Sequence, residues 1–319
     1  MPLVDMSLEK LREYQGRNAR PADFDAFWER SLTEMRLVQA NVELTPSEFK
    51  VPYADCFDMF FTGVRGARIH AKLLKPKRID RRGPAICRFH GYSGSAGDWT
   101  GHLGYAAAGF VVAALDCRGQ GGLSEDAGGV RGTTLNGHII RGLWEGADKL
   151  LFRDIFLDTA QLAGLVMAMP EVDPGRVAAE GGSQGGGLTL ACASLEPRIC
   201  RAAPVYPFLC DYRRVWEMDL AKDAYNELRA FFRNHDPRHT QIEEWFRRLG
   251  YIDCQNLAPR IRGEVLMATG LMDTICPPST QFAAFNKITS KKEVAIFPDF
   301  GHEGLPSHSD RVFQFMLAM

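Results

Sequence analysis

The sequence predicts a mixed α/β fold, with a mostly parallel sheet and helices on both faces. Three observations carry this. Apolar runs without polar alternation recur along the chain (GFVVAALD, CRAAPVYPF, GEVLMATG), the pattern of strands covered on both sides. They alternate with segments of helical periodicity, as parallel strands joined by crossover helices require. One run, RVAAEGGSQGG, leads through a glycine-rich turn straight into the helical pattern LTLACASLE.

The elements follow in order. The first fifty residues read as helix and loop. In RPADFDAFWERSL, Pro21 suits a helix start, and Phe24, Phe27, Trp28 and Leu32 recur at helical spacing, which predicts a helix laid on the core. DMFFTGV and ARIHAKLLKP flank Arg65-Gly66 and read as an antiparallel hairpin. GPAICRFHG and GFVVAALD are strands, followed by a helix over about 154–169. The RVAAE strand, its helix, CRAAPVYPF, GEVLMATG and EVAIFPD complete the sheet, and a helix over about SDRVFQFMLAM closes the chain. The whole of 1–319 reads as one domain carrying three additions: an N-terminal helical extension (1–55), a glycine-rich excursion (118–153) and a helical insertion (208–257). Insertions after strand ends are where such sheets build lids and interfaces.

Composition excludes several classes of function. The 319 residues carry 38 Lys and Arg against 39 Asp and Glu, net −1, with no basic stripe, so no nucleic-acid partner is expected. No stretch approaches the roughly 18 apolar residues of a membrane helix, and no apolar leader core follows the charged start MPLVDMSLEKLREYQGRNARP. The expectation is a cytoplasmic protein without membrane partners. None of the eight cysteines forms a C-x-x-C pair or a zinc-spaced cluster, and most sit in apolar runs. They read as buried small hydrophobes, with neither disulfides nor a metal expected.

The chemical signal is Gly181-Gly182-Ser183-Gln184-Gly185, a G-x-S-x-G pattern between a strand and a helix. In α/β-hydrolases this context puts the serine on a sharp turn that tolerates only small neighbours, beside the free N–H groups of the new helix. Its bland alternative is a glycine-rich turn with an incidental serine. A serine hydroxyl is a weak nucleophile and needs a base held in one tautomer. The fold orders these as Ser, then acid, then His. Asp273, after GEVLMATG, is the candidate acid; its alternative is a cap on the following helix, and Asp299 is its competitor. His302, directly after EVAIFPD, is the candidate base, with His308 its nearest rival. The oxyanion donors are expected from the backbone of Gln184 and of Tyr92 in the CRFHGYSG loop, which leaves His90 a loop-shaping role.

Taken together, DCRGQGG (116–122), GGSQGGGLTLA (181–191), GLMDTICPPST (270–280) and GHEG (301–304) resemble the acetyl xylan esterase and cephalosporin C deacetylase family, carbohydrate esterase family seven. RPADFDAFWERSL and FTGVRGARIHAKLLKP are similar to family sequence as well, so the likeness spans almost the whole chain. The resemblance implies deacetylation of short xylo-oligosaccharides and of cephalosporin C by Ser183, His302 and Asp273, without metal or other cofactor. It implies oxyanion donors at Tyr92 and Gln184, and a substrate-binding set of Tyr92, Pro207 and Ile275, the last two lining a small acyl pocket. Arg118 and Gln120 would be structural, and the 118–153 excursion would serve a homo-hexamer built as a trimer of dimers. Two other readings stay open: another short-chain hydrolase of this fold (thioesterase, lactone hydrolase or peptidase), and a non-catalytic scaffold.

Overall fold

The computed structural model describes residues 4–77, 82–127, 138–220 and 222–319. Among these, nine strands form one sheet: β1 (Glu43–Pro46), β2 (Ala54–Thr62), β3 (Arg68–Pro76), β4 (Gly83–Phe89), β5 (Val111–Leu115), β6 (Val172–Gly182), β7 (Arg201–Val205), β8 (Glu264–Gly270) and β9 (Lys292–Phe297). Their order is β1-β2-β3-β5-β4-β6-β7-β8-β9. From β5 to β9 every neighbouring pair is parallel, and the β1–β2–β3 edge joins them antiparallel. The fold is therefore the expected mostly parallel α/β sheet.

The uninterrupted apolar runs have a simple cause. Successive side chains of a strand point to opposite faces. Val111, Ala113 and Leu115 of β5 enter the larger core cluster, while Val112 enters the cluster on the other face. Val177 and Ala179 of β6 are likewise split from Ala178. Helices α2 (Phe24–Leu37), α4 (Leu151–Met167) and α5 (Gln184–Leu195) bury their apolar residues in the larger cluster, whereas α3 (Leu103–Ala107) and α11 (His308–Leu317) cover the other side with Tyr105, Val312 and Met316. Helices α1 (Leu8–Glu13) and α10 (Pro278–Lys287) lie together at the β8–β9 end, where Leu11 and Phe282 share a small cluster.

The 208–257 insertion contains α6 (Tyr212–Glu217), α7 (Asn226–His235), α8 (Ile242–Leu249) and α9 (Cys254–Leu257). Trp28 is buried against Phe156, and its indole N–H donates to the Tyr251 carbonyl at 3.0 Å. The N-terminal helix is thereby tied to this insertion.

The structure corrects three details. The first 55 residues are not only helix and loop: Glu43–Pro46 is a strand paired with Phe57–Phe60. ELTP lacks an apolar alternation because all four residues are exposed at the sheet edge, so pairing with β2 decides its conformation. The helix expected from Pro21 begins at Phe24, whose N–H bonds the Pro21 carbonyl. The helix expected near 154 begins at Leu151. The RGTTLNG stretch of the 118–153 excursion lies outside the described residues.

Candidate active site

The strand order reverses at β4: the chain moves to β5 on one side, then returns to β6 on the other. Open α/β sheets place their sites at the carboxyl ends of strands at such a reversal. β6 ends at Gly182 and α5 starts at Gln184, leaving Ser183 alone on the turn with φ 58° and ψ −120°. A non-glycine residue there is strained, and the surroundings hold it. A Cβ on Gly181 would come within 2.6 Å of the Phe89 and Gly185 carbonyl oxygens, and one on Gly185 within 2.1 Å of the Phe89 oxygen. The end of β4 thus presses directly on the elbow, which explains the glycine spacing of the motif.

Three side chains meet there. Ser183 Oγ is 2.9 Å from His302 Nε2, and His302 Nδ1 is 2.8 Å from Asp273 Oδ2. An ionised carboxylate only accepts hydrogen bonds, so Nδ1 carries the proton and Nε2 faces the hydroxyl as acceptor. Asp273 is fully buried, and its other oxygen takes the N–H groups of Ile275 (2.9 Å) and Cys276 (2.8 Å). It closes a tight turn ahead of α10 instead of capping that helix. The β8 and β9 loops are stitched by Leu271 N–H to the Phe297 carbonyl and Met272 N–H to the Phe300 carbonyl, which fixes Asp273 relative to His302. Asp299 is exposed, and the carboxylate on His302 is that of Asp273. His308 is buried at the start of α11. His90 lies between two loops: its Nε2 accepts the Cys117 N–H after β5 at 3.0 Å, and its Nδ1 lies 2.7 Å from the Gly91 carbonyl oxygen.

The loop after β4 reaches the same place. Gln184 Nε2 lies 3.4 Å from the Gly91 carbonyl, adjacent to the Tyr92 amide. Gln120 bridges the two sides: its Oε1 accepts the Ser93 N–H (2.9 Å), and its amide meets that of Gln184 (2.9 Å). Arg118 turns away into the core, where two of its nitrogens bind Asp158 at 2.7 and 2.6 Å. Pro207 is buried against the backbone at Gly186. Ile275 is half-buried between Asp273 and Cys276. Tyr206 lies beside His302, ring centroids 4.5 Å apart and planes tilted by 51°. It also lines a neighbouring cavity of about 690 Å³ on the α3–α11 side, floored by Arg88 and Glu180.

Several site groups escaped the sequence reading. Asp116, at the end of β5, accepts the N–H groups of Ala96 (2.6 Å) and Leu123 (2.9 Å) and meets His70 Nδ1 at 2.6 Å, so it anchors both the β4 and β5 loops. Cys276 is buried beside Ser183 and Asp273, and desolvation pushes its thiol well up. Asp273, Cys276 and His302 offer ligand atoms within 4.8 Å of one another, a donor set a metal could use, but the imidazole nitrogens already face Asp273 and Ser183. Glu227, on α7, binds Tyr92. Burial raises its carboxyl to about 7, against the hydrogen bonds of Tyr92, Ile140 and Ile139 and the field of Arg141, which lower it. Its segment, NELRAFFRNH, carries no sign of this; a charged amphipathic helix reads as a solvated face.

The family profile described as Acetyl xylan esterase (AXE1) matches residues 1–319. The chain belongs to the acetyl xylan esterase family. Within this family of carboxylic ester hydrolases it is similar to acetyl xylan esterase 1 from Thermoanaerobacterium sp. JW/SL YS485, at 60% identity and a TM-score of 0.97 over 98% of this chain and 99% of that one. The acetyl xylan esterase from Paenibacillus sp. R4 is 36% identical, with a TM-score of 0.93 and the same coverage of both chains. Acetyl esterase Axe7A of Xylanibacter ruminicola is 27% identical over 303 residues, covering 92% of this chain, and the chain spans 66% of that relative's length. Among the described residues, no helix is long and apolar enough to cross a membrane.

Proposed function

We propose that the chain is a serine esterase that removes acetyl groups from small acetylated carbohydrates such as xylo-oligosaccharides, and from acetyl esters of the cephalosporin C type. One observation carries the reading: the relay Ser183 Oγ–His302 Nε2 at 2.9 Å and His302 Nδ1–Asp273 Oδ2 at 2.8 Å. His302 takes the Ser183 proton as Oγ bonds to the acetyl carbonyl carbon. The carbonyl oxygen becomes an oxyanion, held by the Tyr92 and Gln184 amides. As the tetrahedral intermediate collapses, the ester C–O bond breaks, and His302 hands its proton to the departing alkoxide. Water then enters by the same route: His302 removes its proton, the hydroxide bonds to the acetyl carbon, and the proton returns to Ser183 as acetate leaves. Asp273 keeps the imidazole oriented and stabilises its cationic form. Pro207 and Ile275, against the elbow and the acid loop, are assigned to the acyl side, where sterics favour a methyl over longer chains. Self-assembly in solution is part of the reading, supported by the exposed Leu123 and Trp144 on the 118–153 segment; sedimentation of the chain as a monomer would remove it.

The experiment is fluorophosphonate labelling combined with hydrolysis of acetyl, butyryl and octanoyl p-nitrophenyl esters. Labelling at Ser183, acetyl preferred, and a loss of about 10⁴-fold or more in Ser183→Ala are expected. An unlabelled Ser183 in folded protein favours the scaffold, and a preference for octanoate rules out the deacetylase.

A further inference from the structure

Tyr92 contributes its backbone N–H to the proposed oxyanion hole, and its side chain makes a polar contact that joins both insertions. The Tyr92 hydroxyl donates to Glu227 Oε1 on α7. Glu227 Oε2 accepts the backbone N–H groups of Ile139 (2.6 Å) and Ile140 (3.1 Å). The same segment reaches back: His138 N–H approaches the Tyr92 hydroxyl oxygen at 3.4 Å, and His138 Nε2 lies 3.2 Å from Ser93 Oγ. The Tyr92 ring is packed between His138 (centroids 4.9 Å) and Phe208 (5.7 Å). Glu227 is 6% exposed. Burying a carboxyl on a helix is unfavourable unless its oxygens are satisfied, and among the described residues they are satisfied by Tyr92 and by the backbone of Ile139 and Ile140.

We propose that Glu227 is a positioning residue: it holds Tyr92 by the hydroxyl and so sets where the Tyr92 amide sits relative to Ser183. The inference rests on the oxyanion role assigned to Tyr92 above. Tyr92 Cα carries both the amide and the ring, so fixing the ring at its far end restricts rotation of the loop that presents the N–H. Oxyanion donors act only when charge develops on the carbonyl oxygen. A displaced donor therefore lowers kcat and leaves KM almost unchanged. Removing such a donor costs about 10²–10³-fold; displacing one of two should cost about 10-fold.

The test is a double-mutant cycle of Glu227→Gln and Tyr92→Phe with p-nitrophenyl acetate, with rates expressed per Ser183 labelled by fluorophosphonate so that unfolded protein drops out. Each single variant is expected to lose about 10-fold in kcat with KM within about 2-fold, and the double variant to lose about 10-fold, not 100-fold, because both act through one contact. Wild-type kcat in either single variant, a loss confined to KM, or multiplicative effects would each overturn the proposal. Failure of the underlying mechanism is seen separately, as wild-type protein that does not label or Ser183→Ala that stays active.

Discussion

Gly185→Ala tests whether the elbow is as tight as its geometry indicates. The new Cβ would sit 2.1 Å from the Phe89 carbonyl oxygen, 2.8 Å from its carbon and 3.2 Å from the His90 oxygen. Ordinary carbon contacts are about 3.5 Å or longer, so β4 and the elbow must part by more than about 1 Å. Both sides are backbone and cannot swing aside as a flexible side chain would. Overpacking of this kind costs about 1–3 kcal/mol, and alanine's better helix propensity offsets about 1 kcal/mol of that. Stability should therefore fall only modestly. Activity should fall much further, because a shift of about 1 Å at a reacting group costs on the order of 10²-fold, and here the shift separates Ser183 from the loop bearing Tyr92. The assay is kcat/KM for p-nitrophenyl acetate per labelled site, alongside urea denaturation. Gly101→Ala serves as control, since nothing lies within 4 Å of its Cβ position; it should stay within about 0.5 kcal/mol of wild type with unchanged activity. Gly185→Ala with kcat/KM within about 2-fold of wild type would refute the reasoning.

Two further outcomes concern buried charge. Arg118→Ala strands Asp158 in the core without its bidentate partner and should destabilise by about 3–5 kcal/mol; a urea midpoint shift equivalent to less than about 1 kcal/mol would mean that the pair is dispensable. Glu227 is raised from 4.5 to about 7 by burial. Between those values the native state keeps a proton that the unfolded chain has lost, so stability falls as pH rises through that window, by an amount of order 3 kcal/mol. Comparing urea unfolding of wild type and Glu227→Gln at about pH 5 and pH 8 should show the variant gaining relative to wild type at the higher pH. A difference that does not change with pH contradicts the burial argument.

Much of the architecture was legible because its causes are local. The double-faced burial of β5 and β6 is written as unbroken apolar runs, and the space left between Phe89 and the elbow is written as Gly181 and Gly185. The order Ser183, Asp273, His302 follows from where strands end. Edge strand β1 was not legible, since exposed ELTP has no pattern and is a strand only because β2 pairs with it.

The sequence by itself determined the alternation of strands and helices, the strained serine between small residues and the likeness to one esterase family, because periodicity and glycine placement act over a few neighbouring residues. Only the tertiary structure brought the Asp273 carboxylate, named as the candidate acid from sequence, onto the imidazole and revealed Asp116 and Glu227 as anchors of the loop after β4. Those pairings join residues distant along the chain, Tyr92 and Glu227 being 135 positions apart. A carboxylate's role there depends on what surrounds it once water is gone, and no local pattern encodes that.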